Sequence, residues 1–320
     1  MNCLHCYAYR FRGLKELATD EALRIVEEAG ETGVTHIGFS GGEVLTRKDF
    51  FKLVEKAREY DVEITVVLSG LLVNEYIAEK LAKNEVYVYL SFDGSERRIH
   101  EALRGPGSWK HPIRAARLFL EKGVWFSTVM AVCKLNFRNA GNYVRFASNI
   151  GADCACLIPV MPSGRASKDL VLNPVEVVRV LKEVEYVAEE LGYHASLWCT
   201  PFAGVLISSP YVHHSNCRTW HNIDLDPAGN ALLCDVLDIK ITSVAGRKLE
   251  EAVKEYEEHP LVRKVSQPVR QEPCSSCPLR NRCMGGCYAR AWLIEGSLEK
   301  PDPLCPRVAG VVELGETLQK

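Results

Sequence analysis

The sequence predicts an α/β fold built on a parallel sheet, joined to a loop-rich, cysteine-dense C-terminal segment. Three observations predict it. From residue 16 to about 195, helix-like segments alternate with short, nearly continuous apolar runs. After residue 195 this alternation stops. Seven of the thirteen cysteines then fall between Cys217 and Cys305. Strands that are apolar along most of their length, each followed by a helix, belong to parallel sheets covered by helices.

Taken in order, Glu16–Gly33 reads as an amphipathic helix with Ala22, Ile25, Val26 and Ala29 on one side and Gly33 as its end. Thr35–Ser40 is a strand, and a helix runs from Arg47 to Tyr60. The β-branched run Glu63–Ser69 is the next strand, followed by a helix over Tyr76–Lys83. Val86–Phe92 is a strand with the helix Ile113–Glu121 behind it. Trp125–Val132 and Cys154–Val160 are strands separated by a helix over Arg138–Ile150, and Pro174–Leu191 closes the series as a long helix. That makes five strands. Residues 196–216 lack the Gly/Ser/Pro runs of a flexible linker and read as a bridge. The chain thus divides into 1–195, the bridge at 196–216 and a second unit at 217–320.

Composition narrows the class. A chain of 320 residues can bury a large core. Hydrophobic content of 47% and charged content of 25% are ordinary globular usage. The net charge of -2, with no Lys/Arg cluster, argues against nucleic acid as a partner. No apolar run has the length of a membrane span, and the N-terminus is not a signal peptide. Thirteen cysteines without a secretion signal point to metal or redox use in a reducing cytoplasm.

The motifs then suggest chemistry. Cys3 and Cys6 place two thiols on one tight loop, which suits a zinc knuckle, a redox dithiol or one edge of an iron–sulfur cluster. Ser40-Gly41-Gly42-Glu43 follows a strand; its glycines admit a ligand close to the backbone, and the carboxylate suits an ammonium group. By itself it is equally a Gly-Gly turn with a solvent-facing glutamate. Leu90-Ser91-Phe92-Asp93-Gly94 ends another strand and Leu103-Arg104-Gly105 follows, offering hydroxyl, carboxylate and guanidinium partners, or simply an Asp-Gly turn. The array Cys217, Cys234, Cys274, Cys277, Cys283, Cys287 and Cys305 contains a Cys-x2-Cys pair of zinc-ribbon type, yet seven cysteines do not divide into closed four-ligand zinc sites.

Together these motifs resemble one family. Met1-Asn2-Cys3-Leu4-His5-Cys6-Tyr7 resembles the tail of the Cys-x3-Cys-x2-Cys loop of radical S-adenosylmethionine (SAM) enzymes. Ser40–Glu43, Ser91–Gly94 and Arg104-Gly105 are similar to that family's Gly-Gly-Glu and Ser-x-Asp-Gly…Arg-Gly elements. The Cys217–Cys305 array, with Met284-Gly285-Gly286 before Cys287 and Asp302-Pro303 before Cys305, resembles its SPASM extension. At Val67-Leu68-Ser69-Gly70, where relatives show Thr-Asn-Gly, only the glycine is kept.

The resemblance implies a partial (β/α)6 barrel lacking its first strand, plus a loop-rich C-terminal iron–sulfur (SPASM) domain. It implies a [4Fe–4S] cluster on Cys3 and Cys6, and SAM bound by Gly41, Gly42, Glu43, Ser91, Asp93 and Arg104. Two auxiliary [4Fe–4S] clusters follow by position, one on Cys217, Cys234 and Cys287 and the other on Cys274, Cys277, Cys283 and Cys305. The first needs a fourth ligand, for which Cys199 is the nearest cysteine and His213 and His214 are alternatives. Cys133, Cys154 and Cys156 are expected to be packing residues. The implied activity is reductive cleavage of SAM to a 5′-deoxyadenosyl radical, with electrons from a donor such as ferredoxin or flavodoxin. Segments Pro162–Ala166 and Gly286–Ala291 are similar to those of tetrapyrrole-modifying members, and also to peptide- or cofactor-maturing ones. No side chain is identified as catalytic.

The family's first cluster cysteine would lie two residues before Met1. A functional loop in such a fold also follows a strand. The expectation is therefore that Met1 is an internal methionine or a misplaced start, and that the preceding codons encode a strand and a cysteine. Without that cysteine the rival reading is a non-catalytic iron–sulfur or zinc-binding protein, a decayed relative. Sequencing the upstream DNA checks this: an in-frame stop directly before Met1 would overturn it.

Overall fold

The computed structural model describes residues 2–219 and 222–312; Met1, residues 220 and 221 and the tail 313–320, the end of the predicted C-terminal unit, lie outside the described residues. A seven-stranded parallel sheet dominates, with β1 His36–Phe39, β2 Glu63–Leu68, β3 Tyr87–Ser91, β4 Phe126–Val132, β5 Ala155–Pro159, β6 Ala195–Leu197 and β7 Val212–His214. The strands lie side by side in chain order, β1 to β7. Sequential order puts every crossover helix on the same face, so the sheet has one covered and one open side, as in a part of a barrel. Two strands extend the sheet beyond the five read from sequence. Strand β7 lies in the segment read as a bridge and β6 straddles its start, and at three residues each they are too short to leave a periodic signal.

Helix α1 Thr19–Glu31 precedes β1, and the crossover helices are α2 Phe50–Ala57, α3 Glu75–Lys83, α4 Arg97–Arg104, α5 Lys110–Lys122, α6 Ala140–Asn149 and α7 Pro174–Leu191. Alternation along the strands sorts the two faces. Ile64, Val66, Leu68, Val88, Leu90, Phe126, Met130 and Leu157 are buried beneath the helices together with Phe50, Leu81, Phe119 and Val184. The other face carries Thr65, Val67, Tyr87, Tyr89, Ser127, Val129, Cys156, Ser196 and His213 in lateral register. Two contacts order that open face: the Tyr87 hydroxyl lies 2.6 Å from Ser127 Oγ, and Tyr89 meets Trp198 edge to face at 4.9 Å.

Helix boundaries follow local chemistry. Helix α1 buries Ala22, Ile25, Val26 and Ala29, the four residues of its predicted apolar side. The N-terminus of α7 is a capping box: Asn173 Oδ1 accepts the Glu176 amide at 2.9 Å, and the Asn173 amide donates to Glu176 Oε2 at 2.8 Å. Pro174 at the first helical position loses no bond, and Gly192 at φ +59° ends the helix left-handed. Helix α4 was not legible, because its buried positions are only His100 and Leu103. A histidine there breaks the apolar stripe that a periodicity reading needs.

The C-terminal part adds an antiparallel sheet of β8 Asp224–Leu225, β9 Asn230–Leu232 and β10 Lys240–Ser243, then α8 Leu249–Glu258, α9 Pro260–Val265, α10 Arg280–Cys283 and α11 Tyr288–Glu295. The β8–β9 turn is held by Asp226, whose Oδ1 accepts the Ala228 and Asn230 amides, both at 2.9 Å. A second core of Met161, Leu233, Leu237, Tyr256, Tyr288 and neighbours lies here, and Tyr7 from the N-terminal loop packs against it. Helix α1 also joins the two parts, since Ile25 and Ala29 share a cluster with Val244, Leu249 and Ala252. No helix among the described residues is long and apolar enough to cross a membrane.

Removing the α7 cap should be felt globally, because α7 covers the sheet. Asn173→Ala is expected to lower unfolding free energy by about 1 kcal/mol, measured by urea denaturation, with no change in iron binding.

Candidate metal and cofactor site

The loops that leave the C-terminal ends of β1, β2, β3, β5 and β6 carry Ser40–Glu43, Ser69, Asp93, Pro162–Ala166 and Cys199. All of the chemistry singled out in the sheet region therefore gathers along one edge, where parallel α/β folds place their sites.

The Cys3–Cys6 loop is fastened to that edge from two sides. The Leu4 amide donates to Leu103 O at 2.9 Å, and the Arg165 amide donates to Cys6 O at 3.1 Å. Gly164, at φ +62°, lies so close that a Cβ there would sit 2.5 Å from Cys6 O. Only glycine fits. Both thiols are half-buried, and burial pushes the Cys3 thiol up despite the opposing pull of Arg104.

Beneath this loop lies a closed polar network around Asp93, which is fully buried. Arg104 Nε donates to Asp93 Oδ2 at 2.5 Å, His5 Nε2 approaches the same oxygen at 3.4 Å, and the Ala131 amide donates to Oδ1 at 2.9 Å. Burial, the largest single influence, pushes the Asp93 carboxyl up, but Arg104, His5, His100 and the Ala131 amide together outweigh it and hold it below its usual value. Asp93 and Arg104, each expected to contact SAM, are thus bound to each other, with Arg104 also facing Cys3.

Glu43 is different. Its Oε2 accepts a bond from Ser69 Oγ, while its Oε1 is buried without a partner. Burial pushes this carboxyl up, against the Ser69 bond. An unpartnered buried carboxylate oxygen calls for a donor from outside the chain. A Cβ at Gly41 or Gly42 would meet nothing within 4 Å, so the neighbouring backbone is open to a ligand. Ser69, set aside in the sequence reading, is what orients Glu43. Ser91 is buried two residues from Asp93 on the same strand end.

The cysteines fall into two groups. Cys199, Cys217 and Cys234 each lie within electrostatic reach of Cys287. Cys199 has φ +53°, a conformation costly for a non-glycine residue, and its carbonyl accepts from Arg290 Nη2 at 2.8 Å. The two histidines considered as alternatives are elsewhere: His213 Nε2 lies 2.9 Å from His194 Nδ1, and His214 packs against Gly204. The second group is Cys274, Cys277, Cys283 and Cys305, which together line one small cavity with Arg280 and Arg307. Burial pushes Cys217, Cys283 and Cys305 up to about 12 and Cys274 to about 11. Such thiols become thiolates only when a metal displaces their protons.

A pair of acids went unnoticed in the sequence. Ligand atoms of Asp224, Cys234 and Asp235 lie within 4.8 Å of one another. The Asp235 amide donates to Asp224 Oδ2 at 3.1 Å, and burial with the neighbouring Asp235 pushes Asp224 up to about 7. Tyr7 reaches Asp235, so this pair bridges the N-terminal loop and the first cysteine group. The only available signal was an aspartate directly after a cysteine. Cys154 and Cys156 share one strand face and contact each other, and Cys133 is buried alone.

This geometry defines a class. Residues 1–147 match the Radical SAM superfamily model. The chain carries a radical SAM domain, the unit with which enzymes of that superfamily bind a [4Fe–4S] cluster and SAM. PqqA peptide cyclase of Granulibacter bethesdensis is 28% identical over 303 residues, 91% of this chain and 79% of that protein. AdoMet-dependent heme synthase of Methanosarcina barkeri is 24% identical over 328 residues, 95% of this chain and 92% of that protein. Among solved structures, native anSMEcpe with bound AdoMet and Cp18Cys peptide superposes with a TM-score of 0.77 at 20% identity, covering 97% of this chain and 91% of that one.

The Asp93 network also predicts a pH response. His100 accepts the Asp93 amide on Nδ1 at 3.2 Å, and burial pushes its pKa from 6.5 down to about 4 against the pull of Asp93. Between those values the unfolded chain binds the extra proton, so stability present above pH 6.5 is lost as pH falls toward 4. At about 1.4 kcal/mol per unit, the His100 share is at most roughly 3 kcal/mol. In denaturant unfolding at pH 7 and pH 5, His100→Asn should lose less stability between the two than wild type does.

Proposed function

We propose that the chain is a SPASM-type radical SAM maturase acting on a peptide, residues 1–195 forming the SAM-cleaving part and 217–320 the auxiliary-cluster part, with 196–216 between them. Cys3 and Cys6 hold the first cluster. Cys199, Cys217, Cys234 and Cys287 hold one auxiliary cluster; Cys274, Cys277, Cys283 and Cys305 hold the other. When bound, the first cluster would pass an electron from an external donor to SAM, whose cleavage would supply the radical that takes a hydrogen from substrate, while the auxiliary clusters would accept an electron or bind substrate.

The residues of the chain do the rest. Glu43, oriented by Ser69, offers its open oxygen to the SAM ammonium, with Gly41 and Gly42 admitting the methionine moiety. Ser91 lies within the same strand end. Asp93 and Arg104 act as a pair that shapes the floor under Cys3, with Arg104 presenting positive charge toward the site. Asp224 and Asp235 can take up a proton released beside the auxiliary site. The substrate lies against the open face of the sheet, which excludes water from the radical.

One observation carries the choice of a peptide. On that open face the strand residues from Thr65 to His213 include neither lysine nor arginine. Hydroxyls and the aromatic rings of Tyr87, Tyr89 and Trp198 suit a neutral peptide, whereas the carboxylates of a tetrapyrrole call for cations. The segments similar to those of tetrapyrrole-modifying members are engaged elsewhere. Ser163 Oγ donates to Val236 O at 2.7 Å, Gly164 buttresses Cys6, and Tyr288 OH donates to Leu233 O at 2.7 Å. An electron carrier such as ferredoxin or flavodoxin completes the system.

The test uses anaerobically reconstituted enzyme with SAM and dithionite. A randomised peptide pool is expected to stimulate 5′-deoxyadenosine release, with peptides in the pool changing mass; stimulation by coproporphyrin and by no peptide would overturn the reading. Glu43→Gln should weaken SAM binding tenfold to a hundredfold, the cost of a lost charge-assisted contact of roughly 1.5–3 kcal/mol, while iron content stays constant. For the auxiliary sites, Cys199→Ser should destabilise one four-iron centre and leave the other in place, read by iron analysis and electron paramagnetic resonance (EPR). Unchanged spectra and iron in Cys199→Ser would remove Cys199 from the ligand set.

A further inference from the structure

Arg218 is buried, with 6% of its surface exposed, and it takes part in no ion pair among the described residues. Its Nε donates to Gly286 O at 2.9 Å and its Nη1 to Val265 O at 2.9 Å. Nη2 is buried with no hydrogen-bond partner among the described residues. The guanidinium also lies over the Tyr288 ring, 5.3 Å from its centroid.

A buried cation without a carboxylate is costly unless an anion meets it. Arg290, fully buried in the same region, shows the usual solution, pairing with Asp302 at 2.7 Å. Around Arg218 the facing groups are instead thiols, and they come from both cysteine groups. Cys217 and Cys287 belong to the first, Cys283 and Cys274 to the second. In a [4Fe–4S] centre held by four thiolates the ligands outweigh the charge of the core. The assembled centre is an anion and becomes more negative on reduction.

We propose that Arg218 is the shared counter-cation of the two auxiliary clusters, its open Nη2 donating to sulfur and its charge stabilising the reduced state of both. This rests on the auxiliary-cluster reading above and adds a residue that tunes it. Hydrogen bonds to sulfur and local charge are among the levers that set cluster potential. A cation between two such centres raises both potentials together, which keeps an electron exchangeable between them. Arg280 and Arg307 also have buried, unpartnered guanidinium nitrogens, but they line the second cavity only. They are suited to tuning one centre, not both.

The experiment is an EPR-monitored redox titration of anaerobically reconstituted protein, with iron counted beforehand. Arg218→Gln keeps a hydrogen-bonding side chain and removes the charge; Arg218→Lys keeps the charge. Arg218→Gln is expected to make reduction of both auxiliary centres at least tenfold less favourable, about 59 mV for a one-electron couple, with the first cluster unmoved. Arg218→Lys should recover most of that shift. If Arg218→Gln fails to load iron, loading of Arg218→Lys alone still supports the charge role. Potentials unchanged in Arg218→Gln, or equal losses in both variants, would overturn it, because a side chain that merely ties Gly286 to Val265 does not distinguish charge. Wild type without auxiliary clusters would remove the underlying reading, and this inference with it.

Discussion

The ion pair between Arg290 and Asp302 is the interaction on which the cysteine-rich half depends. Both side chains are fully buried. One Asp302 oxygen accepts both Arg290 Nη1 at 2.7 Å and the Cys287 amide at 2.9 Å, while the other accepts the Leu304 amide at 3.0 Å. Arg290 continues to the Cys199 carbonyl, and the Cys305 amide bonds to Asp302 O. One pair therefore sets the backbone at three cysteines drawn from both groups. Gly286 is required beside it, since a Cβ there would lie 2.3 Å from Asp302 Cβ. Buried pairs of this kind add little net stability, because desolvation offsets Coulomb attraction, but losing one partner is expensive. What the pair gives is position.

A second constraint joins this half to the sheet. The N-terminal loop cannot shift without disturbing the C-terminal core, because Tyr7 reaches Asp235 and packs among its apolar residues. Arg10 extends the same link, donating to the Asp235 carbonyl and to Ser163 Oγ at 3.3 Å. The strand-end loop after β5 closes it from the other side through Gly164 and Arg165. The thiols of the first site and those beside Asp235 are thus held by a continuous set of short contacts rather than by two independent units.

Much of the sheet half was legible because its signals are local. Alternating apolar runs, the Asn173–Glu176 cap and the apolar side of α1 depend on residues a few positions apart. What escaped was weak locally. Strands β6 and β7 are too short for a period, α4 buries a histidine, and Ser69 gains meaning only beside Glu43, 26 residues away. Cys199 is the instructive case. In sequence it was one of three candidates for a fourth ligand; its left-handed backbone and its place beside Cys287 distinguish it from His213 and His214.

By itself, the sequence determined the kind of chemistry and the kind of fold. Strand–helix alternation is a property of neighbouring residues that periodicity reads directly, whereas the thiol spacing and the Gly-Gly-Glu turn pointed to one chemistry only through their resemblance to a family. Only the tertiary structure decided the partners: that Arg104 is bound to Asp93, that Glu43 keeps an open oxygen, that Arg218 stands between two thiol groups, and that no lysine or arginine lies among the described strand residues of the open face. Those facts depend on which distant side chains share a buried volume. Burial is what makes an unpaired charge costly, so it is burial that separates a functional group from a satisfied one.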